Sequence, residues 1–164
     1  DRGAIETVVE NIRKVNRNAL IIKTASVLKA DKEIKGKKVV VIEDGPTLTH
    51  GNMNFGAGIV AAKLFGANPV DPRPYASGTI KKIFEKYPKL GPLIPAMGYS
   101  DSQKKELEEA INSTPAEIAL IATPVDLSRV LKLNKPCAAI SYEIEEMESP
   151  GLKGLIENFV KSSR

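Results

Sequence analysis

One cysteine, one histidine and no tryptophan occur among the 164 residues of this chain, and each scarcity removes a class of protein. Cys137 alone forbids an internal disulfide framework, and with His50 as its only companion no Cys/His zinc site has enough ligands. A lone cysteine suits a reducing cytosol. No apolar run approaches the ~18 residues of a membrane span, and no signal-peptide pattern opens the sequence. A cytoplasmic protein with no membrane partner is therefore expected. Aromatic residues are also few, four Phe and four Tyr, and no Lys/Arg stripe stands beside them as a stacking platform for bases.

What is present is ordinary globular material: 42% hydrophobic and 27% charged residues. A chain of this length buries roughly 70% of its unfolded surface, enough for a core without metals or cross-links. The balance suits one domain, or one domain plus a fragment of another. The formal charge is +4 and the isoelectric point about 9.1. Residues 1–36 hold 8 basic and 5 acidic side chains and the rest 16 and 15, so the excess is concentrated near the N-terminus. Interleaved acids elsewhere exclude a nucleic-acid partner from the expectation.

Ile5, Val8, Val9, Ile12 and Val15 recur at helical spacing, and Asn16-Arg17-Asn18 stops that helix. Ala19 to Lys23 reads as a short buried strand. Val27 to Lys38 turns polar and lysine-rich, ending at Gly36, the pattern of a linker or a surface connection. Lys38 to Ile42 is a β-branched run of the kind covered on both faces in a parallel sheet. A Gly- and hydroxyl-rich loop from Glu43 to Gly58 follows, then a small-residue helix that ends at Gly66. An extended piece at Pro69-Val70, a helix near Ser77–Lys86 and an apolar stretch Leu93–Met97 come next. Asp101 or Ser102 is expected to cap a helix through Ile111. Strands at Glu117–Ala122 and Cys137–Tyr142, a short helix near Leu127–Leu131 and an amphipathic helix Leu152–Val160 complete the chain. This alternation predicts an α/β fold: a three-layer, mainly parallel, Rossmann-like sheet with helices on both faces.

Ligands of open α/β sheets bind beyond the carboxyl ends of the strands, so four loops are candidates. In the first, backbone approach by Gly45, Gly51, Gly56 and Gly58, the hydroxyls of Thr47 and Thr49 and the following helix start would cradle a phosphate; the bland alternative is a Gly-Pro turn, Gly56 and Gly58 letting the helix pack on the sheet, and capping threonines. His50 lies inside that loop as phosphate ligand or proton shuttle, or as a plain hydrogen-bonding residue. Glu43 and Asp44 either hold Mg²⁺ or cap and orient the loop. In the second loop two prolines stiffen the chain around Arg73, a fork for phosphate or carboxylate, or else one half of a salt bridge with Asp71. The third, with Gly98 and Tyr99, is a second substrate loop or a capped turn. In the fourth, Asp126 is an N-cap, or Thr123 faces the ligand. A complete Walker A sequence is absent, as is a Gly-x-Ser-x-Gly elbow.

The segments Val40–Gly51, Val70–Ala76, Lys86–Tyr99 and Ala122–Leu127 together resemble the C-terminal part of a prokaryotic family, the predicted P-loop GTPases related to cyclic 2,3-diphosphoglycerate synthetase. The resemblance covers nearly the whole chain. It implies that residues 1–30 are the last helix and strand of an upstream nucleotide-binding domain, whose P-loop is not in this sequence, and that 37–164 form an α/β phosphate-ligand domain. It further implies an enzyme dependent on Mg²⁺ and on ATP or GTP, the nucleotide being bound mainly by the upstream domain. The substrate would be a phosphorylated small molecule, with ATP-driven closure of an intramolecular phosphoanhydride as the family chemistry. His50 and Arg73 would then be catalytic. Gly45, Thr47, Thr49, Gly51, Asn52, Gly98, Tyr99 and Thr123 would bind phosphate or substrate, and Asp44 or Glu43 the metal. Asn52 is a departure, since the family favours Gly there, although Asn tolerates the left-handed conformation better than most residues. A non-catalytic module docking on the upstream P-loop domain is the competing expectation, and self-association is left open.

Overall fold

The computed structural model describes residues 2–98, 100–148 and 151–162. In chain order it contains α1 (Arg2–Val15), β1 (Thr24–Ala30), β2 (Lys38–Asp44), α2 (Gly45–His50), α3 (Ala57–Leu64) and β3 (Asn68–Pro69). These are followed by α4 (Gly78–Lys86), β4 (Leu93–Ala96), α5 (Asp101–Ser113), β5 (Ile118–Ala122), β6 (Cys137–Glu146) and α6 (Leu152–Ser162). Single 3-10 turns lie at Arg73–Tyr75 and Leu127–Arg129.

The six strands form one sheet in the order β1-β6-β5-β2-β3, with β4 also paired to β2. β2 is its centre. Its Val39 to Glu43 run beside Ile118 to Ala122 of β5, while β3 and β4 take successive stretches of its other edge, all parallel. β6 pairs parallel with β5. At β1 the Asp31 N–H donates to the Ala139 carbonyl and the Met147 N–H to the Lys23 carbonyl, so that edge strand runs antiparallel. The result is the expected α/β, Rossmann-like fold, with a mixed but mostly parallel sheet.

The β-branched run of β2 explains its central place: Val39, Val40, Val41 and Ile42 are fully buried, as a strand covered on both faces requires. Pro95 sits in β4, which among the described residues pairs with β2 alone and is thus an edge strand, where proline is tolerated. Ala61 and Ala62 let α3 lie close on the sheet, while α5 contributes Leu107, Ala110 and Ile111 and α4 contributes Ile80 and Phe84.

The chain divides into two compact units, Asp1–Val27 with Glu143–Arg164, and Leu28–Tyr142. The last helix thus groups with the N-terminal segment rather than with residues 37–142. In the smaller unit neither α1 nor α6 buries a described residue, although both are amphipathic. The larger unit holds the whole hydrophobic core.

Four expectations are corrected. Ala19 to Lys23 is not a strand; Leu20 is 77% exposed, and the ladder with β6 begins only at Thr24. Apolar character without a pairing partner does not make a strand. The supposed linker from Val27 therefore begins inside β1, and its Ile34 is buried in the core. The loop after β2 is helical at its start, because Asp44 caps α2 and Pro46 fits a first helical turn. Ser100, not Asp101 or Ser102, caps α5, through a capping box with Gln103.

Candidate functional site

β2 delivers two consecutive carboxylates to the carboxyl edge of the sheet, and alternation along a strand sends them different ways. Glu43 is 2% exposed. Its Oε2 accepts the Gly56 N–H at 2.5 Å and its Oε1 the Ile59 N–H at 2.8 Å. Gly56 and Ile59 belong to the first turn of α3, so the unpaired donors and positive end of that helix are met by the protein's own carboxylate. Burial pushes the Glu43 carboxyl above its ordinary value, and the N–H groups of Ile59, Gly56 and Gly58 pull it part of the way back. Two glycines make this approach fit. A Cβ on Gly56 would stand 2.7 Å from Glu43 Oε2, and one on Gly58 would stand 2.6 Å from Val41 Cγ1.

Asp44 is half-buried and opens α2: its Oδ2 accepts the Thr47 N–H at 3.1 Å and also the Thr47 hydroxyl. The other oxygen, Oδ1, has no hydrogen-bond partner among the described residues. Beside it lies a cleft of about 460 Å³ whose walls include Glu43, Asp44, Thr47, Thr123, Ser141 and Tyr142. That volume lies in the range of small-molecule sites. Among the described lining residues there are two carboxylates and no Lys, Arg or His. A smaller cavity of about 140 Å³ shares Asp44, Thr123 and Pro124 and adds Gly98 and Lys104.

The structure thus brings together Glu43, Asp44, Thr47 and Thr123 of the expected residues, with Gly98 beside Asp44 and Thr123 in the smaller cavity. It does not place the others on either lining. Thr49 donates its hydroxyl to the Gly45 carbonyl at 3.0 Å inside α2. Gly45 is buried against β4, where a Cβ would meet Met97 and the Ala96 carbonyl. Gly51 ends α2, and Asn52 takes φ +49°, the left-handed conformation that Asn tolerates. His50 is exposed. Arg73 forms the salt bridge: its Nη2 is 2.8 Å from Asp71 Oδ2, and this pairing holds the Asp71 carboxyl below its usual value. Tyr99 lies outside the described residues. Asp126 caps the turn at Leu127–Arg129, while the Thr123 hydroxyl donates to the Val125 carbonyl at 2.9 Å.

Sequence reasoning missed Ser141 and Tyr142, which lie in mid-β6 just past its stretch paired with β5, and Lys104, on the first turns of α5. For the first pair the same strand-end rule was available. For Lys104 no local signal existed.

Two carboxylates with hydroxyls form an oxygen-rich, cation-accepting surface. Mg²⁺ commonly uses one or two carboxylates and keeps several waters, which this set fits. No group of three His, Cys, Asp or Glu side chains able to hold a metal occurs among the described residues. The phosphates of a nucleotide find no counter-charge in the larger cleft. Among the described residues no helix is long and apolar enough to cross a membrane.

Comparison with known proteins adds one relative. The chain is 52% identical over 165 residues to a protein of Thermococcus kodakarensis named arginine synthetase ArcE; the match covers 99% of this chain and 37% of that protein. The chain thus corresponds to part of a longer protein. No protein-family model matches it, and no solved structure matches it significantly.

Proposed function

We propose that this chain is the amino-acid-binding α/β part of a nucleotide-dependent ligase that handles a guanidinium compound, as the name of the Thermococcus relative suggests. The observation that carries the reading is the sign of the 460 Å³ cleft, with Glu43 and Asp44 in its wall and no cationic side chain. A guanidinium is planar, always charged and rich in donors, and a carboxylate is its natural partner. Asp44, with Oδ1 left over from its capping role, is the group that reads it. Glu43, whose two oxygens are occupied by α3, is a positioning residue that locks α3 onto the end of β2. Hydroxyls of Thr123, Ser141 and Tyr142 line the same wall and offer further acceptors.

The nucleotide, ATP or GTP, would supply the phosphoryl group that activates an oxygen as a leaving group. With Asp44 taken by the guanidinium, this reading assigns the Mg²⁺ and the triphosphate to residues outside this chain, which carries no Walker A sequence. Binding there and orientation here make the reaction one of positioning. The resemblance to cyclic 2,3-diphosphoglycerate synthetase supports a second reading, phosphoanhydride closure in a phosphorylated substrate. Such a polyanion would need Mg²⁺ or cations from outside this chain, which is why the first reading leads.

The test uses the full-length protein carrying Asp44→Asn. Losing the partner of a buried guanidinium costs about 2 kcal/mol or more, so L-arginine should bind about 30-fold more weakly by calorimetry, with coupled nucleotide cleavage lowered to match. Unchanged arginine binding and turnover would overturn the proposal and favour a docking module. Turnover that depends on 2,3-diphosphoglycerate and not on arginine or its precursors would establish the second reading instead.

A further inference from the structure

The 140 Å³ cavity beside Asp44 is too small for a nucleotide and well shaped for part of a ligand. At about 30 Å³ per water-sized group it accommodates four or five such groups. Its walls combine Asp44, Lys104 and a run of apolar side chains from Leu107, Leu127, Val130 and Leu131. Leu107, Leu127 and Leu131 are each 6% exposed, so this wall is part of the core. Among the described residues the Lys104 ammonium meets one carboxylate, that of Asp101 at 3.3 Å, an exposed neighbour on its own helix. Such a pair contributes little, which leaves the ammonium free to change partners.

We propose that this cavity is the subsite for the aliphatic stem and α-carboxylate of the amino-acid ligand, and that Lys104 is the specificity-determining residue that reads the carboxylate. The inference rests on the guanidinium reading of the larger cleft. Asp44 stands in the walls of both spaces, so a ligand whose cationic head meets Asp44 can extend its stem along Leu107 and Leu131. A three-methylene stem with a carboxylate is of the size the cavity holds. An apolar wall selects the stem and its length, one methylene being worth about 10- to 200-fold in discrimination. The carboxylate is read separately, by the charge of Lys104.

The experiment compares L-arginine with agmatine, its analogue lacking the carboxylate, by calorimetry on the full-length protein and on its Lys104→Gln variant. The expected result is a preference for arginine of about tenfold or more in the parent, lost in the variant, with agmatine affinity unchanged. A variant that keeps the preference, or that loses both ligands equally, overturns the role of Lys104 while arginine binding by the parent still supports the larger-cleft reading. A parent that binds neither compound sinks both.

Discussion

Two helices begin on the same edge of this sheet and meet the same physical demand in opposite ways. α5 is capped from within: the Ser100 hydroxyl accepts the Gln103 N–H at 3.3 Å, and the Gln103 side chain returns to the Ser100 N–H. α3 begins at Gly56, which has no side chain to cap with, and its donors are satisfied by Glu43, 13 and 16 residues upstream. One start is a property of four consecutive residues. The other exists only once β2 and α3 have met. A local cap stabilises its helix before the fold forms, whereas a distant one couples the helix to the strand that bears the site.

Breaking the distant cap should have the largest effect. Glu43→Ala leaves two buried N–H groups unmet and is expected to destabilise the protein by about 3 kcal/mol, read as a lower urea midpoint at unchanged slope. Ser100→Ala, the matching lesion in α5, should cost about 1 kcal/mol, since water replaces part of an exposed cap. Equal losses at the two positions would erase the distinction between them.

A third and smaller effect sharpens the comparison by pH. The Glu43 carboxyl is raised in the folded state by burial, so the stability its protonation contributes is fully present below the unfolded value and is lost as pH rises through the folded one. Glu43→Gln removes this titration. The stability difference between parent and Glu43→Gln should therefore move in favour of the variant as pH rises through the window just above the ordinary carboxylate range. Serine does not titrate there, so Ser100→Ala should shift the melting temperature by the same amount throughout. A parent and Glu43→Gln variant with parallel pH profiles would show that the carboxyl is not perturbed.

The same contrast explains what could be read from the sequence. Lys38 to Ile42, Ile118 to Ala122 and the caps at Ser100 and Asp126 are written in neighbouring residues, and most elements follow from such patterns. Within them the errors were local too. Asp44-Gly45-Pro46 carries a helix-start signal, but reading its glycine as a phosphate contact hid it. Ala19 to Lys23 has the apolar character of a strand and lacks a partner, which no window of sequence reveals. At the site, strand-end position marked out Glu43, Asp44, Thr47 and Thr123. Loop position also drew attention to His50 and, with its flanking prolines, to Arg73; the structure leaves one exposed and pairs the other with Asp71. The pairing of Glu43 with the start of α3, and the presence of Lys104 and Asp44 in the walls of one cavity, are facts of three-dimensional arrangement and have no trace in spacing.

Thr123 and Pro124 stand in the walls of three spaces along this edge: the 460 Å³ cleft, the 140 Å³ cavity and a third of about 480 Å³ that reaches Asp31 and Lys32. The proline ring fixes its own φ, so this partition is stiff. Room gained on one side by a bulkier or smaller residue at either position is taken from the others. Descendants of such a sheet edge cannot enlarge one compartment independently, and a change of ligand size at one of them would be accompanied by a change of occupancy next door.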